Sequence, residues 1–417
     1  MKRVRLAYGT TGLHISVPDD AHIVDGPSQA HPGIGSPDSA VRDAVRPHLE
    51  RLRAGAGTTA AVVFPDLTRH FPHKVVLPPL LDELARRGVR DDDVVLCCAT
   101  GTHRQATDAE MRALIGDELV DRYRVYDHDC LDESLHREVG TVDGAPIRLA
   151  TPYLDADLRI TTGFVEPHFF AGYSGGPKGV CPGLAAMETV LEAHSPARIA
   201  DPFATWLELD RNPVHRFVSA AVQLAPPQLS LDVALGGATG RELVSVWCDP
   251  LPVGHRRACA YVREESVDEL AALADVVVTT NGGHPLDRNL YQVVKGLDAG
   301  ARILRPGGVL IAAAACGDGI PSEGLFGDLL RAATSPADLI APPGGPDQWQ
   351  VQVLGRVLAH AGEVQLHTDG LDGDQIRSAH LLPCPSITEA VAAATQRAGT
   401  RVAVLPQGPL TVAAVRG

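Results

Sequence analysis

Continuous apolar runs recur along this chain, and each ends in a polar or glycine-rich turn that leads into a segment of helical spacing. Thr59 to Phe64 runs into Pro65-Asp66-Leu67-Thr68-Arg69-His70, and Val75 to Arg87 then has the helical period. Val94 to Thr100 runs into Gly101-Thr102-His103-Arg104, with a helix expected from Asp108 to Ile115. Leu158 to Thr162 leads through Val165 to Pro167-His168, and Leu184 to Ala193 has helical spacing. A second group begins near Glu264: Val267 to Ala274 reads as helix, and Asp275 to Thr280 as a strand that ends in Asn281-Gly282-Gly283-His284. A helix is expected over Asp287 to Ala299, then a strand over Gly307 to Ala314. Strands that alternate with helices in this way form α/β proteins with largely parallel sheets. Two α/β domains are therefore expected, with the active site in the crevice between them. Residues 1–265 form the first, 266–400 the second, and 401–417, with its apolar run Arg401 to Leu405, a closing segment with a return to the first domain open to it.

A chain of 417 residues, 45% of them hydrophobic, can build a core for each domain. No apolar run reaches the length of a membrane span, and Met1-Lys-Arg-Val-Arg-Leu-Ala lacks a long apolar region before a cleavage site, so a cytoplasmic protein that does not engage membranes is expected. The eight cysteines contain no Cys-x-x-Cys, which argues against a disulfide framework and a structural zinc site; most are expected as buried thiols. A net charge of −14 opposes nucleic-acid binding and gives small anions no general attraction, so an anionic substrate needs a local cationic pocket. The Pro/Gly-rich stretch Ala341 to Asp347 reads as a surface loop.

Chemistry concentrates at the strand ends, where open α/β sheets place their ligands. Lys178 stands among Gly172, Gly175, Gly176 and Gly179, ten residues after His168 and sixteen before His194. Glycines let the main chain approach a ligand closely, and the flanking histidines set this lysine apart from one solvated in a surface loop. His103, His168 and His194, the cations Arg69, Lys178 and Lys295, and the polar residues Asp66, Tyr291 and Gln292 make up the candidate set. Singly each has a plain structural role: Asp66 as a cap, Arg69 in a surface pair, Tyr291 in helix packing, and His70, His73 and His284 as turn or surface residues. Tyr291 and Lys295, four residues apart, share one helix face. Three histidines without the i, i+4 spacing of a helical metal site fit one metal ligand and two acid/base groups better than a zinc centre. Arg69 and Lys295 suit a carboxylate, and Lys178 a covalent attachment.

Asp66-Leu-Thr-Arg69, Gly101-Thr-His-Arg104, Pro167-His-x-Phe-Ala-Gly-x-Ser-Gly-Gly-x-Lys178, Pro182-Gly183 through Glu188 to His194, and Asn281-Gly-Gly-x-Pro285 with Tyr291-Gln292-x-x-Lys295 span nearly the whole chain. In these the chain resembles the nickel-pincer-dependent lactate racemase family. The resemblance implies a pyridinium-derived mononucleotide with two sulfur-containing acyl groups, joined through one of them to Lys178, whose ring carbon and two sulfurs hold nickel. His194 completes an approximately square-planar site, the geometry nickel(II) favours. It further implies that His103 and His168 are the paired acid/base catalysts and that Arg69 and Lys295 act on substrate and transition state. Gln292 and Trp349 join them at the substrate, and Asp66, Gly175, Gly176 and Tyr291 stand with Lys178 in the cofactor-binding set. Dedicated cofactor-assembly enzymes are the expected partners, and a 2-hydroxy acid, lactate or a larger relative, is the expected substrate.

Chemistry supports such a cofactor. The α C–H of a 2-hydroxy acid is too weakly acidic for a histidine base alone, and hydride removal avoids the carbanion. One histidine takes the hydroxyl proton as hydride leaves, a bound 2-keto acid presents its other face, hydride returns, and the opposite histidine reprotonates oxygen. Two positions depart from close lactate racemases: Pro177 stands where a basic or polar residue is expected, and Cys181 where an aliphatic one is. Competing readings are a lysine Schiff-base or pyridoxal-type enzyme, marked by a borohydride-reducible yellow chromophore without nickel, and a non-enzymatic carrier of the nickel cofactor. A carrier needs neither the acid/base histidines nor the anion-binding pair.

Overall fold

A computed structural model of the protein describes residues 1–24, 32–236, 241–322 and 324–415. The chain divides into two compact units, one of Ser28–His194 with Pro202–Glu264, the other of Met1–Pro27, Ser195–Asp201 and Glu265–Gly417. Both are α/β with largely parallel sheets.

The first unit is built on a six-stranded sheet ordered Glu242–Asp249, Leu229–Gly236, Leu158–Phe164, Ala60–Pro65, Val94–Ala99 and Arg124–Asp127. Every neighbouring pair is parallel except Glu242–Asp249 on Leu229–Gly236. Val62, Phe64, Leu96, Ile160, Leu231 and Val233 are buried on it, packed with Val41, Val45 and Leu49 of the helix Pro37–Leu52 and Val76, Leu77, Leu80 and Leu84 of the helix His73–Arg86. That i, i+4 spacing of apolar side chains turns one face of each helix to the sheet. The helix Asp108–Ile115 starts at a capping box: the Glu110 N–H donates to Thr107 Oγ1 at 3.2 Å, and the Thr107 N–H to Glu110 Oε2 at 2.9 Å.

In the second unit the sheet order is Leu382–Pro383, Glu363–His367, Leu304–Ala313, Ala274–Thr280, Val402–Leu405 and His22–Ile23, all parallel. The expected domain limits need correction in two places, and the placement left open for the closing segment is settled. The first 27 residues join this unit rather than the N-terminal domain, because His22–Ile23 adds to the edge strand Val402–Leu405. The closing segment stays here as well, since Val402–Leu405 pairs with Ala274–Thr280. Ser195–Asp201 also belongs here, held where Gln352 and Arg356 donate to the carbonyls of Pro196 and Ile199, both at 3.0 Å.

Local patterns were overruled at three elements. The helix expected from Val267 is the strand Val267–Leu270, which pairs in parallel with Val412–Val415, a partner no local window contains. The helix expected from Leu184 begins at Met187, since Ala185 bridges Leu149 and the Ala186 N–H donates to the Arg148 carbonyl at 3.0 Å. The helix expected from Asp287 begins at Leu290, because Asp287 Oδ2 instead accepts the N–H groups of Gly9 and Ala315, at 2.7 and 3.0 Å. All eight cysteines are buried free thiols. Among the described residues no helix is long and apolar enough to cross a membrane.

The helix Leu290–Ala301 lies close on its sheet at Gly296, whose N–H donates to Asn281 Oδ1 at 3.0 Å; a Cβ there would collide with the Thr280 carbonyl. Gly296→Ala is expected to lower unfolding stability by about 2 kcal/mol or more through overpacking, read as a lower urea midpoint; an unchanged midpoint would show that the helix can shift freely.

The imidazoles of His73, His128 and His215 are buried in the first unit. His73 Nε2–H donates to the Pro65 carbonyl at 2.6 Å, and burial pushes its pKa down to about 4. Burial, then the neighbouring His136, takes His128 down to about 3, and burial, then His255, does the same to His215. The unfolded chain takes up these protons near the ordinary histidine value and the folded chain only well below it. Acid therefore favours unfolding, by about 1.4 kcal/mol per pH unit for each such group. The thermal midpoint is expected to fall steadily from pH 7 to pH 5, whereas a flat midpoint would mean that these rings protonate in the folded state.

Candidate functional site

The strands Leu158–Phe164, Ala60–Pro65 and Val94–Ala99 are neighbours in one parallel sheet, so their carboxyl ends lie on one edge. The segments Asp66 to Arg69, Gly101 to His103, and His168 to Lys178 each follow one of these ends. Backbone bonds tie them together: the Gly101 N–H donates to the Gly183 carbonyl at 3.0 Å, and the Gly183 N–H to the Lys178 carbonyl at 3.1 Å.

His103 is the exposed member, and its Nδ1–H donates to Oδ2 of the buried Asp66 at 2.9 Å. Thr68 Oγ1–H donates to Asp66 Oδ1 at 2.8 Å. Burial pushes the Asp66 carboxyl up, but the hydrogen bond and charge of His103, with help from Arg69 and Thr68, outweigh it and hold the group below the usual carboxylate range. Asp66, expected in the cofactor set, is thus in contact with His103. With its proton on Nδ1, the ring presents a lone pair at Nε2. Arg69 stands 3.9 Å from Glu166 Oε1, just before Pro167-His168.

His168 is buried, and its Nδ1 accepts the N–H groups of Phe170 at 3.5 Å and Ala171 at 3.3 Å. That network assigns its proton to Nε2, the opposite tautomer to His103. Phe170 is the hub of this region: its ring lies edge-on to His168 at 4.6 Å and to His194 at 5.3 Å, with Lys178 Nζ 5.9 Å from its centroid. The buried His194 donates Nδ1–H to the Val190 carbonyl at 2.8 Å, which makes Nε2 the lone-pair nitrogen. Burial, aided by the charge of Lys178 and opposed by the Val190 bond, pushes its pKa down to about 4, so this imidazole is neutral at physiological pH. A buried neutral imidazole oriented through its other nitrogen by a carbonyl is what a metal ligand requires.

Gly175 and Gly176 both have positive φ, at 76° and 52°, before the short turn Gly176–Gly179 that carries Lys178. The remaining expected residues form a second cluster, inside the other unit. Lys295 Nζ donates to Gln292 Oε1 at 2.8 Å, Trp349 Nε1–H to Tyr291 Oη at 3.2 Å, and the Gln350 side chain to the Tyr291 carbonyl. The Tyr291 ring meets Phe326 edge-on at 5.2 Å. Sequence reasoning missed the contributions of Thr68, Phe170, Glu166 and Asp232. Thr68 and Phe170 lay inside the motifs already singled out, and Asp232 was visible as a lone charge in the apolar run Leu229 to Leu235.

Comparison with known proteins extends these observations over the whole chain. Residues 8–206 match the lactate racemase N-terminal domain and residues 270–413 the lactate racemase C-terminal domain. The lactate racemase of Thermoanaerobacterium thermosaccharolyticum is 31% identical over 98% of both chains, and that of Lactiplantibacillus plantarum 31% over 86% of both. The structure of the Thermoanaerobacterium thermosaccharolyticum lactate racemase apoprotein superposes with a TM-score of 0.89, at 30% identity over 100% of both chains. A protein from Thermotoga maritima, 18% identical over 92% of this chain and 99% of its own, shares the fold with a TM-score of 0.69. The matching domains, the near full-length identity and the common fold together establish that this chain belongs to the lactate racemase family.

Proposed function

We propose that the chain is a racemase or epimerase of a 2-hydroxy acid, lactate or a larger relative, and that it works with a nickel-pincer nucleotide tethered at Lys178. The observation that carries this reading is the grouping of Lys178 and the neutral, carbonyl-oriented His194 around Phe170, on the sheet edge that also holds His103 and His168. The residues fit the group. Among the described residues no cluster of three or more His, Cys, Asp or Glu is placed to hold a metal. His194 Nε2 would hold the nickel, and the nucleotide would supply its other ligands. When bound, the group supplies nickel and a carbon centre able to take and return hydride.

The protein's own groups do the rest. Lys178 anchors the nucleotide, and the glycines before it admit a ligand against the main chain. His103, steadied by Asp66, accepts the hydroxyl proton at Nε2, while neutral His168 hydrogen-bonds a substrate oxygen through Nε2–H and gives that proton up only once its Nδ1 has taken one. In the reverse direction the two exchange roles, and His168 gives up only two long N–H contacts, at 3.3 and 3.5 Å, to do so. Arg69 is assigned to the substrate carboxylate, and Lys295, Gln292 and Trp349 to substrate binding, with Tyr291 in the cofactor set. Production of the cofactor by dedicated assembly enzymes and action in the cytoplasm complete the reading.

Protein made together with cofactor-assembly enzymes is expected to carry about one nickel per chain and added mass on Lys178, and to racemise at least one member of a panel of 2-hydroxy acids in a chiral assay. His103→Ala and His168→Ala should each lower racemisation by about 100-fold or more with nickel retained. Folded protein with neither nickel nor added mass would overturn the reading, and a borohydride-reducible chromophore without nickel would replace it with Schiff-base chemistry.

Asp66→Asn should lower kcat by roughly 100-fold through loss of the tautomer and charge partner of His103, while KM moves by less than about threefold. Equal loss in KM and none in kcat would make Asp66 a binding group instead.

A further inference from the structure

Asp232 is fully buried in the strand Leu229–Gly236, among apolar neighbours that give a carboxylate no evident purpose. Burying a carboxylate is costly unless its oxygens are hydrogen-bonded, and an apolar residue would serve the strand at less cost. Both oxygens are used. Oδ1 accepts the Gly176 N–H at 2.8 Å, and Oδ2 accepts the Ser230 hydroxyl at 2.7 Å. The first bond grips the main chain two residues before Lys178, at the start of the turn Gly176–Gly179.

The same carboxylate accounts for the glycines around it. A Cβ on Gly163 or on Gly175 would lie 2.8 Å from Asp232 Oδ1. A second buried side chain holds the other side of the turn. His255, from the helix Val253–Ser266, donates Nε2–H to the Ser174 carbonyl at 2.9 Å, and a Cβ on Gly176 would collide with its ring. Ser174 to Gly176 is thus clamped by a strand carboxylate and a helix imidazole, and the positive φ of Gly175 and Gly176 is the shape the clamp imposes.

We propose that Asp232 and His255 are positioning residues for the cofactor: they hold the glycine turn in the conformation in which Lys178 takes up and keeps the nucleotide. This rests on the reading of Lys178 as the tether. Neither residue is assigned contact with the nucleotide or the substrate; each acts through the main chain it binds. A turn with two positive-φ glycines has many alternative conformations in the absence of such bonds, so loss of the clamp lowers the fraction of chains in the loading shape.

The test uses full-length protein produced with the cofactor-assembly enzymes, with the fraction of modified Lys178 read by peptide mass spectrometry and folding by circular dichroism and thermal melting. Asp232→Ala is expected to fold and to lower occupancy by about tenfold or more, the loss of a bond to a charged acceptor. Asp232→Asn, which keeps an acceptor for the Gly176 N–H, should retain occupancy within about twofold. His255→Phe, which keeps a ring beside Gly176 but removes the donation to Ser174, should lower occupancy by about fivefold. Wild-type occupancy in folded Asp232→Ala or in His255→Phe overturns the inference, as does a loss in Asp232→Asn equal to that in Asp232→Ala. Should Asp232→Ala fail to fold, His255→Phe and Asp232→Asn decide the matter. Wild-type protein without mass on Lys178 overturns the tether reading, and this inference with it.

Discussion

Parallel pairing of Leu158–Phe164, Ala60–Pro65 and Val94–Ala99 is the constraint on which the first unit's chemistry depends. Parallel strands must be joined by crossovers that return the chain to the far edge, so the segments leaving them emerge together at the carboxyl end. Phe64 opposite Cys98, and Val62 opposite both Leu96 and Ile160, fix that register through buried side chains. A slip of one residue would turn those side chains to the opposite face and carry Asp66 away from His103.

Around that edge the protein handles its costly groups one at a time. Each buried ionisable or polar side chain of the site has a specific partner: Asp66 has His103 and Thr68, His194 has the Val190 carbonyl, and Asp232 has Gly176 and Ser230. The partners also divide the imidazoles by role. A carboxylate places the proton of His103 on Nδ1, and backbone donors place that of His168 on Nε2. Burial beside Lys178 keeps His194 neutral, the state that the proposed ligand role needs. The three histidines of the candidate set thus differ in what surrounds them, while their side chains are the same. In a chain with net charge −14, the cations Arg69 and Lys178 are a local feature of this edge.

Much of this is legible in the sequence. The helix Asp108–Ile115 coincides with its expected span, because a threonine cap, a glutamate three residues on and a terminal glycine mark its ends locally. His103, His168, Lys178 and His194 stood out because glycines and histidines gathered at strand ends. Val267–Leu270 departs from its expected helix for the opposite reason: its strand character comes from Val412–Val415, far away in the chain. Asp232 shows the limit of local pattern: a single acidic residue in an apolar run announces burial without saying what it grips.

The sequence by itself determined the alternation of strands and helices, the turns that follow them and the residue types available for chemistry, since each depends on short-range spacing and backbone preference. Only the tertiary structure decided that the first 27 residues complete the C-terminal unit, that Asp66 belongs to His103, and that Asp232 and His255 hold the lysine turn. Those outcomes rest on strand pairing and hydrogen bonds between segments distant in sequence. Such contacts exist only after the chain has closed on itself, and no local pattern encodes which of several possible partners a buried polar group will meet.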